Sequence, residues 1–342
     1  MSAVKNAVLH VAMSRPVRRL LAPLTRERTC VFMLHRFTQP ERGVQGHDPA
    51  AVRAVLAWLR RERFELVRLD DLVTRLRGEG PPLRRAVAFT IDDGYADHAE
   101  VAGPLFAEHD CPVTTFVATG FVDGELWMWW DRIEYAFRHS RRASAAVPLG
   151  DAPWQASWAD ADARRAAQHD FTERCKRVPD AARLQAIEAL AAALEVALPA
   201  APPPEYAPMT WDQLQRAEAA GMSFAPHTVT HPVLSRTPDA QSRHELEGSW
   251  RRLADKAAAP QRIFCYPNGG WADFGERETR TLRDLGFAGA VVGEPGYAEA
   301  RDARDESGRF RLRRFAFPDQ LPVAAQYASG FERFKAVLRG QR

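Results

Sequence analysis

Short apolar runs alternate with helical stretches along much of the chain, and this rhythm constrains the fold more than any other feature. The run Cys30–Leu34 is typical of a buried strand, and Asp48 followed by Pro49 is typical of a helix start. Further strand and helix patterns follow to about residue 120 and return between about residues 211 and 292. Repeated β–α units indicate an α/β fold, either with a parallel sheet or with a β/α barrel.

The rhythm breaks between about residues 121 and 208, where alanine-rich helical stretches dominate and a proline-rich run, Pro199–Pro208, closes the segment. We interpret it as a helical insertion in one domain spanning residues 29–320. An N-terminal helical segment (1–28) precedes this domain, and a C-terminal helix (321–342) follows it. Residues 4–22 are compatible with an amphipathic helix that makes a peripheral contact with a membrane or a partner.

Bulk composition excludes several classes of protein. The 342 residues include 47 basic and 44 acidic side chains, and the net charge of +3 is too small to indicate a nucleic-acid partner. The four cysteines have no close pairs, which predicts buried free thiols and neither a disulfide framework nor a thiolate zinc site. No apolar run approaches the roughly 20 residues of a membrane span. Arginines interrupt the N-terminal apolar stretches, which argues against a signal peptide and predicts a cytoplasmic location.

The first chemically informative string is Thr90-Ile91-Asp92-Asp93-Gly94-Tyr95, at the end of a predicted strand. Neighbouring side chains on an extended segment point to opposite sides, so one carboxylate can face a metal while the other faces a substrate water. Gly94 lets the backbone turn sharply at the carboxyl end of the strand, where β/α folds place their active sites. An ordinary Asp-Asp-Gly turn is the alternative interpretation.

The second string is His227-Thr228-Val229-Thr230-His231, between two prolines. Two histidines four residues apart are typical of helical zinc proteases, but Thr228 occupies the position of the general-base glutamate in that motif. Pro232 also disfavours a helix at His231. The pair therefore belongs to a loop after the predicted strand Met222–Ala225. Two loop imidazoles and a carboxylate from elsewhere suit Zn²⁺ or a similar divalent ion; two unrelated loop histidines are the alternative.

The third string is Phe264-Cys265-Tyr266-Pro267-Asn268-Gly269-Gly270, a strand that ends in a turn. A turn of this kind exposes backbone N–H groups that can stabilise an oxyanion. The string is a weak signal by itself, because plain turns share its composition.

Together, the three strings resemble the polysaccharide deacetylase family, metal-dependent enzymes that remove N- or O-acetyl groups from sugars. That family shows a T-F-D-D-G string, an H-[ST]-x-x-H string and a later R/Y-P-x-G turn, in this order. The similarity extends over about residues 29–320. It implies a distorted (β/α)₇ barrel with the helical insertion as an extra, an acetylated sugar or glycan as substrate, and a divalent metal ion, Zn²⁺, as cofactor.

The resemblance also implies roles for individual residues. Asp92 corresponds to the general base that activates water, and Asp93 to a metal ligand alongside His227 and His231. The metal polarises the acetyl carbonyl. The backbone N–H of Asn268 is the expected oxyanion donor of the turn.

Three departures from the family pattern bear on the mechanism. Ile91 replaces a phenylalanine, which changes packing. Cys265 stands where many members have an arginine that pairs with the base. The late string that carries the general-acid histidine is absent, since Leu312-Arg313-Arg314-Phe315 has none. His35, in Met33-Leu34-His35-Arg36-Phe37, resembles the N-terminal general acid of the poly-N-acetylglucosamine deacetylase branch, so we assign it that role; a strand-end histidine that hydrogen-bonds a loop is the alternative.

Aromatic side chains near the predicted strand ends suggest a sugar-binding surface, because flat rings pack against pyranose faces. We expect substrate contacts from the residues that open the insertion and from those of the oxyanion turn: Trp127, Trp130, Asp131, Tyr266, Pro267 and Trp271. Ordinary packing of the insertion onto the barrel is the alternative for the tryptophans.

Three functions remain open from the sequence. The first is carbohydrate deacetylation in surface or exopolysaccharide biosynthesis. The second is hydrolysis of another small amide, such as a formyl or cyclic amide, at the same metal site. The third is an inactive sugar-binding module, which the retention of both aspartates and both histidines disfavours.

Overall fold

The computed structural model describes residues 16, 22–25 and 27–340. The predicted N-terminal segment, including residues 4–22, therefore lies largely outside the described residues. The strands are β1 (Arg28–Leu34), β2 (Glu65–Leu66), β3 (Ala86–Asp93), β4 (Thr114–Val117), β5 (Ser144–Val147), β6 (Trp154–Ser157), β7 (Ser223–Pro226), β8 (Ile263–Cys265), β9 (Gly289–Pro295), β10 (Ala298–Glu299) and β11 (Leu312–Ala316).

Helices follow most of these strands in the chain. They are α1 (Pro49–Arg61), α2 (Leu69–Leu76), α3 (Gly103–Ala107), α4 (Thr119–Val122), α5 (Trp129–His139), α6 (Ala161–Cys175), α7 (Asp180–Ala193), α8 (Trp211–Ala219), α9 (Asp239–Lys256), α10 (Glu276–Asp284), α11 (Ala300–Arg304), α12 (Leu321–Ala328) and α13 (Phe331–Leu338). Within the described part of the chain, no helix has the length and apolarity needed to cross a membrane.

Seven strands form one parallel sheet in the order β7-β4-β3-β1-β11-β9-β8. The two end strands approach each other, and the N–H of Gln261 donates to the carbonyl of Phe224 at 2.8 Å across this seam. The sheet is therefore a nearly closed barrel, and the predicted distorted (β/α)₇ fold is confirmed. All eight residues of β3 are buried, because helices cover the outside of the sheet and side chains fill its interior.

Local signals in the sequence set several element boundaries correctly. The side chain of Asp48 accepts a hydrogen bond from the N–H of Ala50 at 2.8 Å, so the predicted cap of α1 is present. After β3 the chain is helical from residue 96 to residue 107, and this stretch contains a π-helical turn, His98–Ala102, directly before the short α3. All four cysteines are buried free thiols, as predicted.

The segment between β4 and β7 carries α5, α6 and α7 together with an antiparallel hairpin of β5 and β6. These elements pack around their own apolar cluster, which includes Trp154, Phe171 and Leu190. The sequence predicted only helices here. Each hairpin strand has four residues, and β5 alternates exposed and buried positions in an alanine-rich context, so its β pattern is too short to stand out.

Candidate active site

A cavity of about 850 Å³ opens at the carboxyl ends of the barrel strands. Residues that directly follow or end β1, β3, β7 and β8 line it, and α5 and α6 of the inserted segment add a further wall. Most of the residues predicted for the site line this cavity: His35, Asp92, Asp93, Trp130, Asp131, His227, His231, Tyr266 and Asn268. The strand-end strings thus meet in one place, as expected for a β/α barrel.

Asp92 is held by an arginine that the sequence analysis did not identify. The two terminal nitrogens of Arg314 donate to the two carboxylate oxygens of Asp92, each at 2.7 Å. Arg314 also donates to the Thr90 hydroxyl (2.9 Å), the Cys265 sulfur (3.1 Å) and the Val292 carbonyl (3.1 Å). Its side chain is 1% exposed. These contacts occupy the five N–H donors of the guanidinium, which fixes the orientation of Asp92.

Arg314 also sets the charge of the base. Burial raises the pKa of Asp92, but the charge and hydrogen bonds of Arg314 outweigh burial and hold that pKa well below its usual range. Asp92 is therefore ionised at any working pH. The arginine expected at position 265 is supplied from β11, and the small Cys265 side chain leaves room for it.

Asp93 points away from Arg314 toward the two histidines. Its Oδ1 lies 3.7 Å from Nε2 of His227 and 3.4 Å from Nε2 of His231, and all three side chains are buried. The Nδ1–H of His227 donates to the carbonyl of Cys265 at 2.7 Å, which leaves Nε2 with its lone pair directed at Asp93. One carboxylate oxygen and two imidazole nitrogens thus converge within 4.8 Å of one another.

The charge state of these three groups fits a divalent cation. Burial lowers the pKa of His227 to about 4 and that of His231 well below its usual range, so both rings are neutral, the form in which an imidazole can bind a metal. Burial and the nearby carboxylates of Asp92 and Asp131 raise the pKa of Asp93, so a cation here would relieve an unfavourable buried charge. A second group, Asp92 with His227 and Cys265, is also compact. Arg314 already contacts two members of it, which opposes a metal there.

Backbone strain concentrates at the same strand ends. Of eight non-glycine residues with positive φ in the described part of the chain, four lie here: Asp93 (96°), Thr228 (70°), His231 (55°) and Asn268 (60°). Such conformations cost about 1–3 kcal/mol each and persist where the surroundings enforce them, as at functional sites. Gly94 also has a positive φ of 100°, and a Cβ there would lie 3.2 Å from Val117 and Val122.

His35 directly follows β1 and lies near the same carboxylate oxygen of Asp92 that accepts a hydrogen bond from Arg314. Its Nε2 is 4.0 Å from Oδ2 of Asp92, and its side chain is 47% exposed. Partial desolvation of the ring lowers the pKa of His35, and the Asp92 carboxylate partly offsets this effect. The geometry places a neutral imidazole beside the base and open to the cavity.

The inserted segment contributes a polar chain to the cavity wall. The indole N–H of Trp130 donates to the hydroxyl of Tyr95 at 3.0 Å, and that hydroxyl donates to Oδ2 of Asp131 at 2.7 Å. The Trp130 ring also stands edge-on to His231, with ring centroids 4.6 Å apart. Burial raises the pKa of Asp131 to about 8, so this acid is protonated at neutral pH.

The turn after β8 carries Tyr266 and Asn268 into the cavity. The ring of Tyr266 stacks on Phe274 at 3.8 Å between centroids, which fixes its position. The side-chain amide nitrogen of Asn268 and the hydroxyl of Tyr266 are buried without a hydrogen-bond partner among the described residues. Gly269 has a φ of 75°, and a Cβ there would lie 2.4 Å from the nitrogen of Gly293. Unpartnered buried donors of this kind are available to a ligand.

Three predicted substrate-binding residues do not line the cavity: Trp127, Pro267 and Trp271. Trp127 is buried and stacks on Tyr206, with centroids 5.9 Å apart. Trp271 is 45% exposed and lies against Arg313 on the outer face of the turn. Their sequence positions flank residues that do line the cavity, and a role for them stays a prediction.

Comparisons with known proteins connect this fold and cavity with deacetylases. Residues 79–289 match the family model described as polysaccharide deacetylase. No curated protein sequence matches the chain. Among solved structures, a Streptococcus pyogenes deacetylase, PplD in complex with acetate, is 16% identical and superimposes with a TM-score of 0.57, covering 88% of this chain and 98% of its own.

Two further structures share the fold at low identity. IcaB from Ammonifex degensii is 15% identical, with a TM-score of 0.54 over 89% of this chain and 97% of its own. A de-N-acetylase from Aggregatibacter actinomycetemcomitans is 12% identical, with a TM-score of 0.53 over 86% of this chain and 96% of its own. Since the family model spans more than half of the chain, the protein belongs to the polysaccharide deacetylase family and is a carbohydrate deacetylase, a hydrolase.

Proposed function

We propose that this chain is a divalent-metal-dependent hydrolase that removes N-acetyl groups from a glycan during surface or exopolysaccharide biosynthesis. The observation that carries this proposal is that two adjacent carboxylates have different partners. Asp92 is clamped by Arg314 and faces His35, whereas Asp93 faces His227 and His231. The similarity to a structure named a de-N-acetylase supports the N-acetyl linkage over the O-acetyl linkage.

Asp93, His227 and His231 are the residues that would hold the metal. One carboxylate and two neutral imidazoles form a ligand set suited to Zn²⁺, and the cavity leaves the remaining positions open to solvent and substrate. When bound, such an ion acts as a Lewis acid that polarises the acetyl carbonyl.

The remaining steps belong to the side chains of this protein. Asp92, ionised and fixed by Arg314, accepts a proton from the attacking water as it adds to the acetyl carbon. Asp92 passes this proton to the neutral ring of His35. As the carbon–nitrogen bond breaks, the protonated His35 donates the proton to the departing amine, and the acetic acid product ionises to acetate. The 4.0 Å between His35 and Asp92 lets one group pass a proton to the other through a single water. The N–H of Asn268 is the proposed donor to the oxyanion.

The inserted segment supplies the proposed substrate wall. Trp130 offers a ring beside His231 for a pyranose face, and the protonated Asp131 can donate or accept a hydrogen bond with a sugar hydroxyl. Tyr266, in the turn after β8, lines the same cavity. A pocket built from aromatic faces with a few fixed polar groups suits a carbohydrate residue.

Acetate release from N-acetylated glycan oligomers tests the proposal. Wild-type protein supplied with Zn²⁺ should release acetate, and Asp92→Asn should lose at least about 100-fold in kcat, because general-base catalysis is worth roughly 10²–10⁴-fold. Glu247→Gln, a surface change on α9, is the matched control and should keep full activity. A panel of N-acetyl, N-formyl and cyclic amide substrates identifies the preferred amide. Undiminished acetate release by Asp92→Asn would rule out the assigned base.

A further inference from the structure

The loop that carries both histidines depends on a buried glutamate from another element. Glu245, on α9, is 2% exposed. Its Oε2 accepts hydrogen bonds from the N–H groups of Val229 (2.7 Å) and Thr230 (2.8 Å), and its Oε1 accepts one from the Thr230 hydroxyl (2.6 Å). One carboxylate therefore binds the two residues at the middle of the loop.

The loop needs such an anchor because its backbone is strained on either side of these contacts. Thr228 and His231 both have positive φ, and a β-branched residue such as Thr228 rarely adopts that conformation. Thr228 accepts a hydrogen bond from the N–H of His231 at 3.0 Å, which fixes the far end of the loop. The N–H groups of Val229 and Thr230 point the other way and find their acceptor in Glu245. Without it, two partly buried donors lose their partner.

The hydrogen bonds of the Glu245 carboxylate go to the histidine loop. Among the residues that the structure describes, none forms a salt bridge with Glu245. A buried carboxylate is costly, and here three donors of the histidine loop compensate for it directly. The buried guanidinium of Arg183, which pairs with Asp180, also interacts with the charge of Glu245 from a distance. The same loop is held from the barrel side, where the N–H of Gly120 donates to the carbonyl of Val229 at 2.9 Å.

From these contacts we propose that Glu245 is a positioning residue that holds His227 and His231 opposite Asp93 and thereby sets the affinity of the site for a divalent metal. This inference rests on the metal site of the proposed function. Although α9 supplies no metal ligand, its Glu245 would hold the two histidines in their binding positions before the ion arrives.

Zinc titration of the metal-free full-length protein against a competing chromogenic chelator tests this inference. Glu245→Ala removes all three hydrogen bonds to the carboxylate and should raise the zinc dissociation constant by about 10–100-fold, the usual effect of losing a residue that orients metal ligands. Glu245→Gln keeps an acceptor oxygen but loses the charge, so its zinc dissociation constant should lie between those of wild type and Glu245→Ala. Glu247 pairs with the exposed Arg243 and Arg251, so Glu247→Gln should bind zinc like wild type.

Thermal unfolding of the same metal-free variants separates positioning from general stability. A merely structural glutamate would lower the unfolding midpoint while leaving zinc affinity of the folded protein unchanged, and that outcome overturns the inference. Equal zinc affinity of wild type, Glu245→Gln and Glu245→Ala overturns it as well. Failure of the wild-type protein to bind any divalent ion would instead overturn the proposed metal site, so the two failures are distinguishable.

Discussion

Replacing Arg314 by methionine removes the group that orients and ionises the proposed base. Methionine approximates the length of the side chain but supplies none of the five donors that reach Asp92, Thr90, Cys265 and Val292. Asp92 then remains buried without its counter-charge. Breaking a buried ion pair from one side costs about 3–5 kcal/mol, because the remaining charge is uncompensated.

The pKa of Asp92 gives this prediction a defined pH dependence. In the wild type, the folded-state pKa lies below the ordinary value of 3.8, so the pair contributes stability above about pH 4 and loses it on acidification. In Arg314→Met, burial becomes the dominant influence and raises the pKa of Asp92, so the variant loses stability as pH rises above about 4. The difference in unfolding free energy between the two proteins should therefore narrow as the pH falls toward 4.

The acetate-releasing activity of Arg314→Met should also depend on the protonation of Asp92. At neutral pH, Arg314→Met should lose at least about 100-fold in kcat, since a protonated carboxyl cannot act as a base. Part of this loss should return as pH rises and the carboxylate re-ionises. The assay is acetate release from pH 6 to 9 combined with urea unfolding. Arg313→Met, the exposed neighbour, is the matched control and should behave like wild type. A pH-independent loss of activity in Arg314→Met, without loss of stability, would refute the reasoning.

Three further substitutions test other parts of the site. Since the pKa of Asp131 is raised to about 8, the unfolding free energy of the wild type should fall as pH rises from about 4 to about 8. In denaturant unfolding, Asp131→Asn should show a flatter dependence of this free energy on pH. Parallel pH profiles for the two proteins would contradict the raised pKa. Trp130→Ala should lower kcat/KM on a short acetylated oligomer by about tenfold or more. The control Phe334→Ala, an exposed aromatic on α13 outside the cavity, should leave kcat/KM within about twofold, and equal effects of the two substitutions would contradict the proposed wall. His35→Gln should lower kcat by about 100-fold with little change in KM; an unchanged kcat would exclude His35 as the acid.

The sequence predicts most of this barrel because its strands and helices leave local signals. Buried parallel strands appear as short apolar runs, as in Cys30–Leu34 and Ala86–Thr90, and the chemically informative residues follow directly after them. Position at a strand end is enough to bring Asp93, His227 and His231 together, because the carboxyl ends of parallel strands share one rim.

The partner of Asp92 could not be found in this way. Arg314 lies 222 residues from Asp92 in the chain, on a strand whose neighbours depend on the order of the whole sheet. An arginine in an Arg-Arg pair shows no local sign that its side chain points inward. Glu245 is hidden for the same reason, since an acidic residue within a polar helix is typical of a solvent-exposed face. The absence of the expected arginine at position 265 was the available signal that another arginine replaces it.

Metal content measured together with acetate release tests the central claim most directly. Purified wild-type protein should contain about one divalent ion per chain by elemental analysis, as a single three-residue ligand set requires. A variant with Asp93→Asn and His231→Gln should contain none. Chelation should abolish acetate release by the wild type, and added Zn²⁺ should restore it. Full acetate release by the metal-free protein, or full metal content in the double variant, would contradict the assignment of Asp93, His227 and His231.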